Sequence, residues 1–214
     1  MTRRVALAGL LALAAATPAR ASFIVYTSQA SYLAALAPNP VTDTYNDLVP
    51  HTGVGSPLSR SGNGLSYVAN ALNQGVPGDF VVAGTTADPW LSTKQIVASI
   101  AYSTFSSTVR GVGGFFFGSD ASGAFLAGTT INITAVDGSQ TLTQTLTATS
   151  TFFGVISNGP ITSFTVRATS AFPTANDFII GAAPTAAVPA PPTLLLGLVG
   201  AGCAGVAWLR RRGR

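Results

Sequence analysis

One histidine and seven aspartates are all that this 214-residue chain offers for acid–base or cation chemistry outside its arginines and lysines. Glutamate is absent, and the single cysteine, Cys203, lies in an apolar stretch near the C-terminus. His51 sits between Val49-Pro50 and Thr52-Gly53-Val54-Gly55, a polar loop by composition. With no second histidine and no nearby cysteine it has no partner of its own kind for a zinc shell. Serines and aspartates are plentiful enough for a Ser-His-Asp arrangement. Yet Gly53-Val54-Gly55-Ser56-Pro57 does not fit the Gly-x-Ser-x-Gly elbow that presents a nucleophile. Glycoside hydrolysis needs two carboxyls flanking one bond, one of them with a raised pKa. No pair of aspartates stands out for it. Asp79, Asp120 and Asp137 each adjoin Gly or Ser, where an aspartate side chain closes a local turn. The glycines from Gly111 to Gly114 lack the lysine of a phosphate loop and read as close sheet packing.

Two groups remain as candidate sites. Asp47 lies near the first strands and Asp177 opens the last, so a sandwich can set them side by side. Calcium takes roughly six to eight oxygen ligands and accepts a mixture of carboxylates and carbonyls, and Asp47 with Asp177 are the proposed start of such a shell. Trp90, Tyr67 and Tyr102 are the aromatic side chains expected to stack on sugar rings, with core packing as the competing role.

The elements that must position these groups are mainly strands. The body is rich in Thr, Ser, Gly, Val, Ile and Phe, which suits pleated surfaces and turns. One early segment has helical spacing: Ala30, Leu33, Ala34 and Leu36 with Tyr32, capped by Thr27 or Ser28 and ended by Pro38-Asn39-Pro40. Elsewhere the period is two. Ile131, Ile133 and Ala135 alternate with polar residues, and Leu142, Gln144 and Leu146 do the same after Asp137-Gly138, which predicts a hairpin with a two-residue turn. Further strands are expected at 113–118, 152–156, 164–168 and 178–180, and weaker ones at 23–26, 65–69, 80–82 and 96–102. Roughly nine strands with frequent turns predict an all-β protein, an antiparallel β-sandwich of jelly-roll type with one short N-terminal helix.

The two ends read differently from the body. Arg3 and Arg4 precede an unbroken apolar run over 5–16, and Ala19-Arg20-Ala21 follows as an A-x-A site, so residues 1–21 are expected to be a signal peptide cut after Ala21. A proline- and alanine-rich linker spans 182–192. Then come 17 apolar residues over 193–209 and a basic end, Arg210, Arg211, Arg212 and Arg214. That length is near the minimum of roughly 17 residues for a spanning helix, and Trp208 beside the arginines suits a membrane boundary. The expectation is a C-terminal transmembrane helix with the 22–181 domain outside. Four cations against seven aspartates leave that domain a net charge of −3, although the whole chain carries +4. A mildly acidic body has no footprint for a phosphate backbone, which excludes nucleic acid.

The tail resembles the PEP-CTERM sorting signal of Gram-negative bacteria: Val188-Pro189-Ala190-Pro191, an apolar span and a terminal arginine cluster, with Ala190 in place of the usual glutamate. The resemblance implies a substrate of an exosortase, delivered first by the Sec export machinery. The body is similar, more softly, to a domain recurring in such proteins, through Phe23 to Leu36, Thr44 to Leu48 as an Asp-bearing strand, Gly113 to Asp120 and Asp177 to Gly181. Together these readings predict a non-enzymatic exported surface or matrix protein, anchored by its tail before processing and associated with extracellular polysaccharide. A carbohydrate-binding module and a secreted hydrolase are the alternatives. No cofactor other than calcium is expected.

Overall fold

Alternation of inward apolar and outward polar residues, carried by strand after strand, leaves two faces to be buried against each other. A computed structural model of the chain describes residues 23–147 and 151–184. In chain order the elements are β1 (Phe23–Tyr26), α1 (Gln29–Ala34), β2 (Val41–Asp43), β3 (Gly53–Val54), β4 (Leu58–Gly62), β5 (Leu65–Asn73), β6 (Val76–Pro77), β7 (Phe80–Gly84) and β8 (Pro89–Thr93). They continue with β9 (Ser99–Ser103), β10 (Val109–Ser119), β11 (Phe125–Leu126), β12 (Ile131–Val136), β13 (Thr141–Leu146), β14 (Thr151–Ser157), β15 (Ser163–Ala168) and β16 (Phe172–Ala182).

The strands form two antiparallel sheets, so the chain is a β-sandwich. The first runs β1-β14-β10-β16-β8-β7-β3, with β11 added beside β10 and β2 beside β16. The second runs β13-β12-β15-β9-β5-β4, with β6 beside β5. In the second sheet the pattern is regular: Tyr67, Ile100, Ile133 and Phe164 are buried while their neighbours Ser66, Ala101, Thr134 and Thr165 face outward. From the first sheet Phe80, Leu91, Val112, Phe116, Phe153 and Phe178 meet them. Tyr102 and Phe178 stack across the gap with ring centroids 3.8 Å apart. Each such side chain removed from water contributes about 1.5–3 kcal/mol.

A second, smaller core lies on the outer face of the first sheet. There α1 presses Tyr32 and Leu36 against Phe152, Ile156 and Ile179. Burial on both faces explains why β10 and β14 read as continuous apolar runs rather than alternating ones. Ser28 caps α1 by accepting from the Ser31 N–H.

The helix, the 131–146 hairpin and the strands expected at 113–118, 152–156 and 164–168 are where the sequence places them. Four details differ. The hairpin loop has four residues, Asp137 to Gln140, because the Asp137 carboxylate takes the Ser139 and Gln140 N–H groups and holds a wider turn. Residues 96–98 stay outside β9, since Val97 has a left-handed φ of 54°. Thr44 to Leu48 is a turn, not a strand: Tyr45 has a φ of 56° and Leu48 donates back to the Tyr45 carbonyl at 2.9 Å. The strand expected over 178–180 spans 172–182, extending through a bulge where Gly114 faces both Asp177 and Phe178. Among the described residues no helix is long and apolar enough to cross a membrane. The expected signal peptide with Ala19 and Ala21, the motif Val188-Pro189-Ala190-Pro191, and the tail with Arg210, Arg211, Arg212 and Arg214 lie outside the described residues.

Candidate functional site

Strand β4 carries one cation, Arg60, at the rim of the sandwich, and two aspartates converge on it. The Arg60 Nε and Nη2 donate to Asp43 at 2.6 and 2.8 Å, while Nη1 and Nη2 donate to Asp47 at 2.8 and 2.6 Å. Asp43 is only 8% exposed, against 61% for Asp47. The buried member is further held by the Tyr67 hydroxyl, which donates to Asp43 Oδ2 at 2.7 Å, and by the Tyr45 N–H, which donates to Oδ1 at 3.0 Å. The guanidinium also lies 5.8 Å from the centre of the Tyr45 ring, within reach of a cation–π attraction. Hydrogen bonds from Arg60 hold the Asp47 carboxyl below the usual range, and the two carboxylates push Arg60 above its own. An open polar cleft of about 530 Å³ lies over this cluster, lined also by Thr44, Asn46, Ser59 and Ser61.

The calcium reading of Asp47 and Asp177 is not what the structure builds. Both Asp47 oxygens are taken by Arg60, and the carboxylate near Asp177 is Asp88. Among the described residues no group of three or more His, Cys, Asp or Glu side chains is placed to hold a metal. The aromatic platform is corrected too. Tyr67 and Tyr102 are 2% and 0% exposed, because they fall on the inward side of β5 and β9. Their rings pack on Phe178 and cannot meet a sugar, and burial raises both hydroxyl pKa values. Trp90 is half-buried, set edge-on to Phe117 at 4.8 Å and lying over Gly84.

The turn roles of Asp120 and Asp137 hold, and that of Asp79 does not, since its carboxylate closes no local turn. Asp137 closes its loop and accepts the Ser157 hydroxyl at 2.5 Å. Asp120 Oδ1 takes the N–H groups of Ser122 and Ala124. Asp79 pairs loosely with Lys94 at 3.2 Å. Asp177 differs. Burial and the neighbouring Asp88 carboxylate raise its pKa. Between the carboxyl's ordinary pKa and this raised one, the folded chain binds more protons than the unfolded chain, so stability falls as pH rises there. Asp177→Asn is therefore expected to raise the melting temperature at pH 7 by about 1–3 °C and to do less at pH 3, where the aspartate is already neutral. Asparagine also tolerates the left-handed φ of 47° at this position, so the difference between the two pH values is the quantity to measure.

His51 is where sequence reasoning missed a site. It is exposed and takes part in no triad, but the structure sets it at the mouth of a cavity of about 190 Å³ beside Lys94, Ser92, Ser119, Asp120, Ser122 and Phe172. Its backbone is pinned there: the His51 N–H donates to the Val82 carbonyl at 2.8 Å, and Val82 donates to the Thr52 carbonyl at 3.0 Å. A φ of 61° on a non-glycine residue turns the chain at that point. The opposite wall is the 120–124 loop, brought against β7 by the Gly84 N–H bond to the Gly123 carbonyl at 3.2 Å. Both glycines have left-handed φ, and a methyl group on Gly84 would lie 2.3 Å from the Asp88 carbonyl oxygen. These residues come from distant segments, and only the polar loop around His51 and the turn signal at Asp120 hinted at them.

No family model matches the chain, and comparison with curated proteins and with solved structures gives no match.

Proposed function

We propose that this chain is a non-enzymatic exported surface or matrix protein, associated with extracellular polysaccharide through a sandwich of jelly-roll type. The observation that carries the non-enzymatic reading is the fate of the aspartates. Asp43 and Asp47 are bound to Arg60, Asp120 and Asp137 to their own turns, Asp79 to Lys94, and Asp88 to the Asn176 amide at 3.0 Å. A hydrolase of this composition needs a carboxylate pair or a histidine–carboxylate pair at the reacting bond; six of the seven aspartates have a hydrogen-bond or ion-pair partner within the fold, which supports the non-enzymatic reading, and Asp177 beside Asp88 is the exception. A sandwich whose chain passes repeatedly between two sheets supports the jelly-roll reading.

The export reading rests on the ends of the sequence. Sec delivers the chain, the PEP-CTERM-like tail holds it in the membrane, and an exosortase-type enzyme cuts at 188–191. Intact mass of the protein recovered from cells tests this directly. The expected mass is that of a chain starting at Ser22 and ending near the Val188-Pro189-Ala190-Pro191 motif, with any attached group as an increment. A chain recovered at full length from the cytoplasm overturns it, as does unchanged location after deletion of 188–214.

A further inference from the structure

We infer that the cavity between His51 and Phe172 is a binding site for one neutral sugar ring, such as the exposed terminal unit of a glycan chain. This rests on the polysaccharide-associated reading above and names the site and the ligand class. The volume, about 190 Å³, is below the roughly 300 Å³ at which sites for drug-sized ligands begin, so it suits a single ring.

The chemistry of the walls selects the ring. Each sugar hydroxyl both donates and accepts, so a sugar site must offer donors and acceptors together. Lys94 supplies donors, and Asp120 and the Ser122 oxygen, whose proton goes to Asp120 at 2.6 Å, supply acceptors. Lys94 is free to serve: its contact with Asp79 is 3.2 Å long with both side chains about half exposed, and such surface pairs contribute about 0–1 kcal/mol. Asp120 spends Oδ1 on Ser122 and Ala124, and none of these bonds involves its other oxygen.

The floor adds a row of hydroxyls. Ser92, Ser119 and Thr174 are buried hydroxyls within 2.8–3.3 Å of one another. Thr174 can donate to Ser92 at 2.9 Å or to the Phe172 carbonyl at 3.2 Å. Ser119 lies 2.8 Å from Thr174, and either hydroxyl can donate in that bond. Ser92 in turn has the Pro173 carbonyl as acceptor at 3.2 Å. Ser92 and Ser119 line the cavity, so the row presents hydroxyl groups to it that can accept or donate. Val81, Ala83 and the half-buried Phe172 provide the apolar surface against which the C–H face of a ring packs. The Asp120 carboxylate offsets the Lys94 ammonium at the same cavity, so the walls carry no net positive charge to select an acidic sugar.

Saturation-transfer NMR on the purified chain tests this, with methyl glucoside, methyl galactoside, methyl mannoside and rhamnose as neutral probes and glucuronate as the charged one. The expected result is transfer to at least one neutral probe, weakened about tenfold or more by Lys94→Ala and by Ser122→Ala, with the melting temperature unchanged because both side chains are exposed. Phe172→Ala is expected to abolish transfer to the ring C–H protons. Absence of transfer to all four neutral probes overturns the proposal. So does transfer that survives Lys94→Ala and Phe172→Ala intact, which puts binding elsewhere, or transfer to glucuronate alone. Failure here with tail-dependent sorting intact removes the sugar site and leaves the export reading standing.

Discussion

Asp43→Ala is expected to cost about 3–5 kcal/mol of stability, the range for removing one partner of a buried ion pair. The loss comes from what is left behind. Arg60, 17% exposed, keeps only the outer carboxylate of Asp47. The Tyr67 hydroxyl and the Tyr45 N–H lose their acceptor inside the protein, and an unmet buried donor costs about 1–3 kcal/mol. Asp47→Ala removes just as many hydrogen bonds from Arg60, yet its carboxylate is 61% exposed, so its expected cost is below about 1 kcal/mol. Asp43→Asn should fall between the two, since an amide oxygen can still accept from Tyr67 or Tyr45 but cannot balance the guanidinium. Urea unfolding of the three variants measures the order. Equal losses for Asp43→Ala and Asp47→Ala would show that burial does not set the worth of this pair.

That contrast separates structural carboxylates from available ones. Before the fold is known, Asp47 stands out as a candidate cation ligand and nothing singles out Asp43. The fold makes Asp43 a buried anchor and Asp47 its solvent-side partner. Arg60 lies 17 and 13 residues further along the chain from them, on a strand whose residues, Leu-Ser-Arg-Ser-Gly, include one apolar side chain. Periodicity cannot flag such a strand, and no spacing rule links it to the turn after β2. The hydroxyl row of Ser92, Ser119 and Thr174 was hidden for the same reason: β8 begins with proline and buries hydroxyls where an alternating pattern would put leucines.

The legible features were local. The 131–146 hairpin shows its alternation within one segment, and Ser28 with the apolar face of α1 lies within a dozen residues. The glycines from Gly111 to Gly114 in β10 were legible as close packing, although not what packed against them, and Gly154 in β14 was not. Tyr67 and Tyr102 show the limit of composition. Inward and outward aromatic residues look alike until register fixes the face, and a shift of one residue would have put both into water.

Register also decides how α1 is held, and this gives the second large effect. A six-residue helix is far below the roughly 12 residues at which an isolated helix becomes even marginal, so its stability comes from its seat. The seat is made by removing side chains. A methyl group built on Gly154 would lie 2.8 Å from the Tyr32 ring, and one on Gly111 would lie 2.5 Å from a Leu36 methyl. Tyr32 is fully buried in that space, tilted against Phe152 at 5.3 Å. Tyr32→Ala is accordingly expected to cost about 3–5 kcal/mol, as for other large aromatic truncations. Gly154→Ala is expected to cost about 1–3 kcal/mol by overpacking against a rigid ring. The two should not add: with the tyrosine ring gone, the new methyl group occupies vacated space, and the double variant should be more stable than the sum predicts by about 0.5–3 kcal/mol. Additive losses would mean that Gly154 is required by the strand itself. Loss of amide protection confined to 29–36 in Tyr32→Ala would identify the helix as a separately detachable unit, whereas protection lost throughout β14 and β10 would show that the helix completes the sheet beneath it.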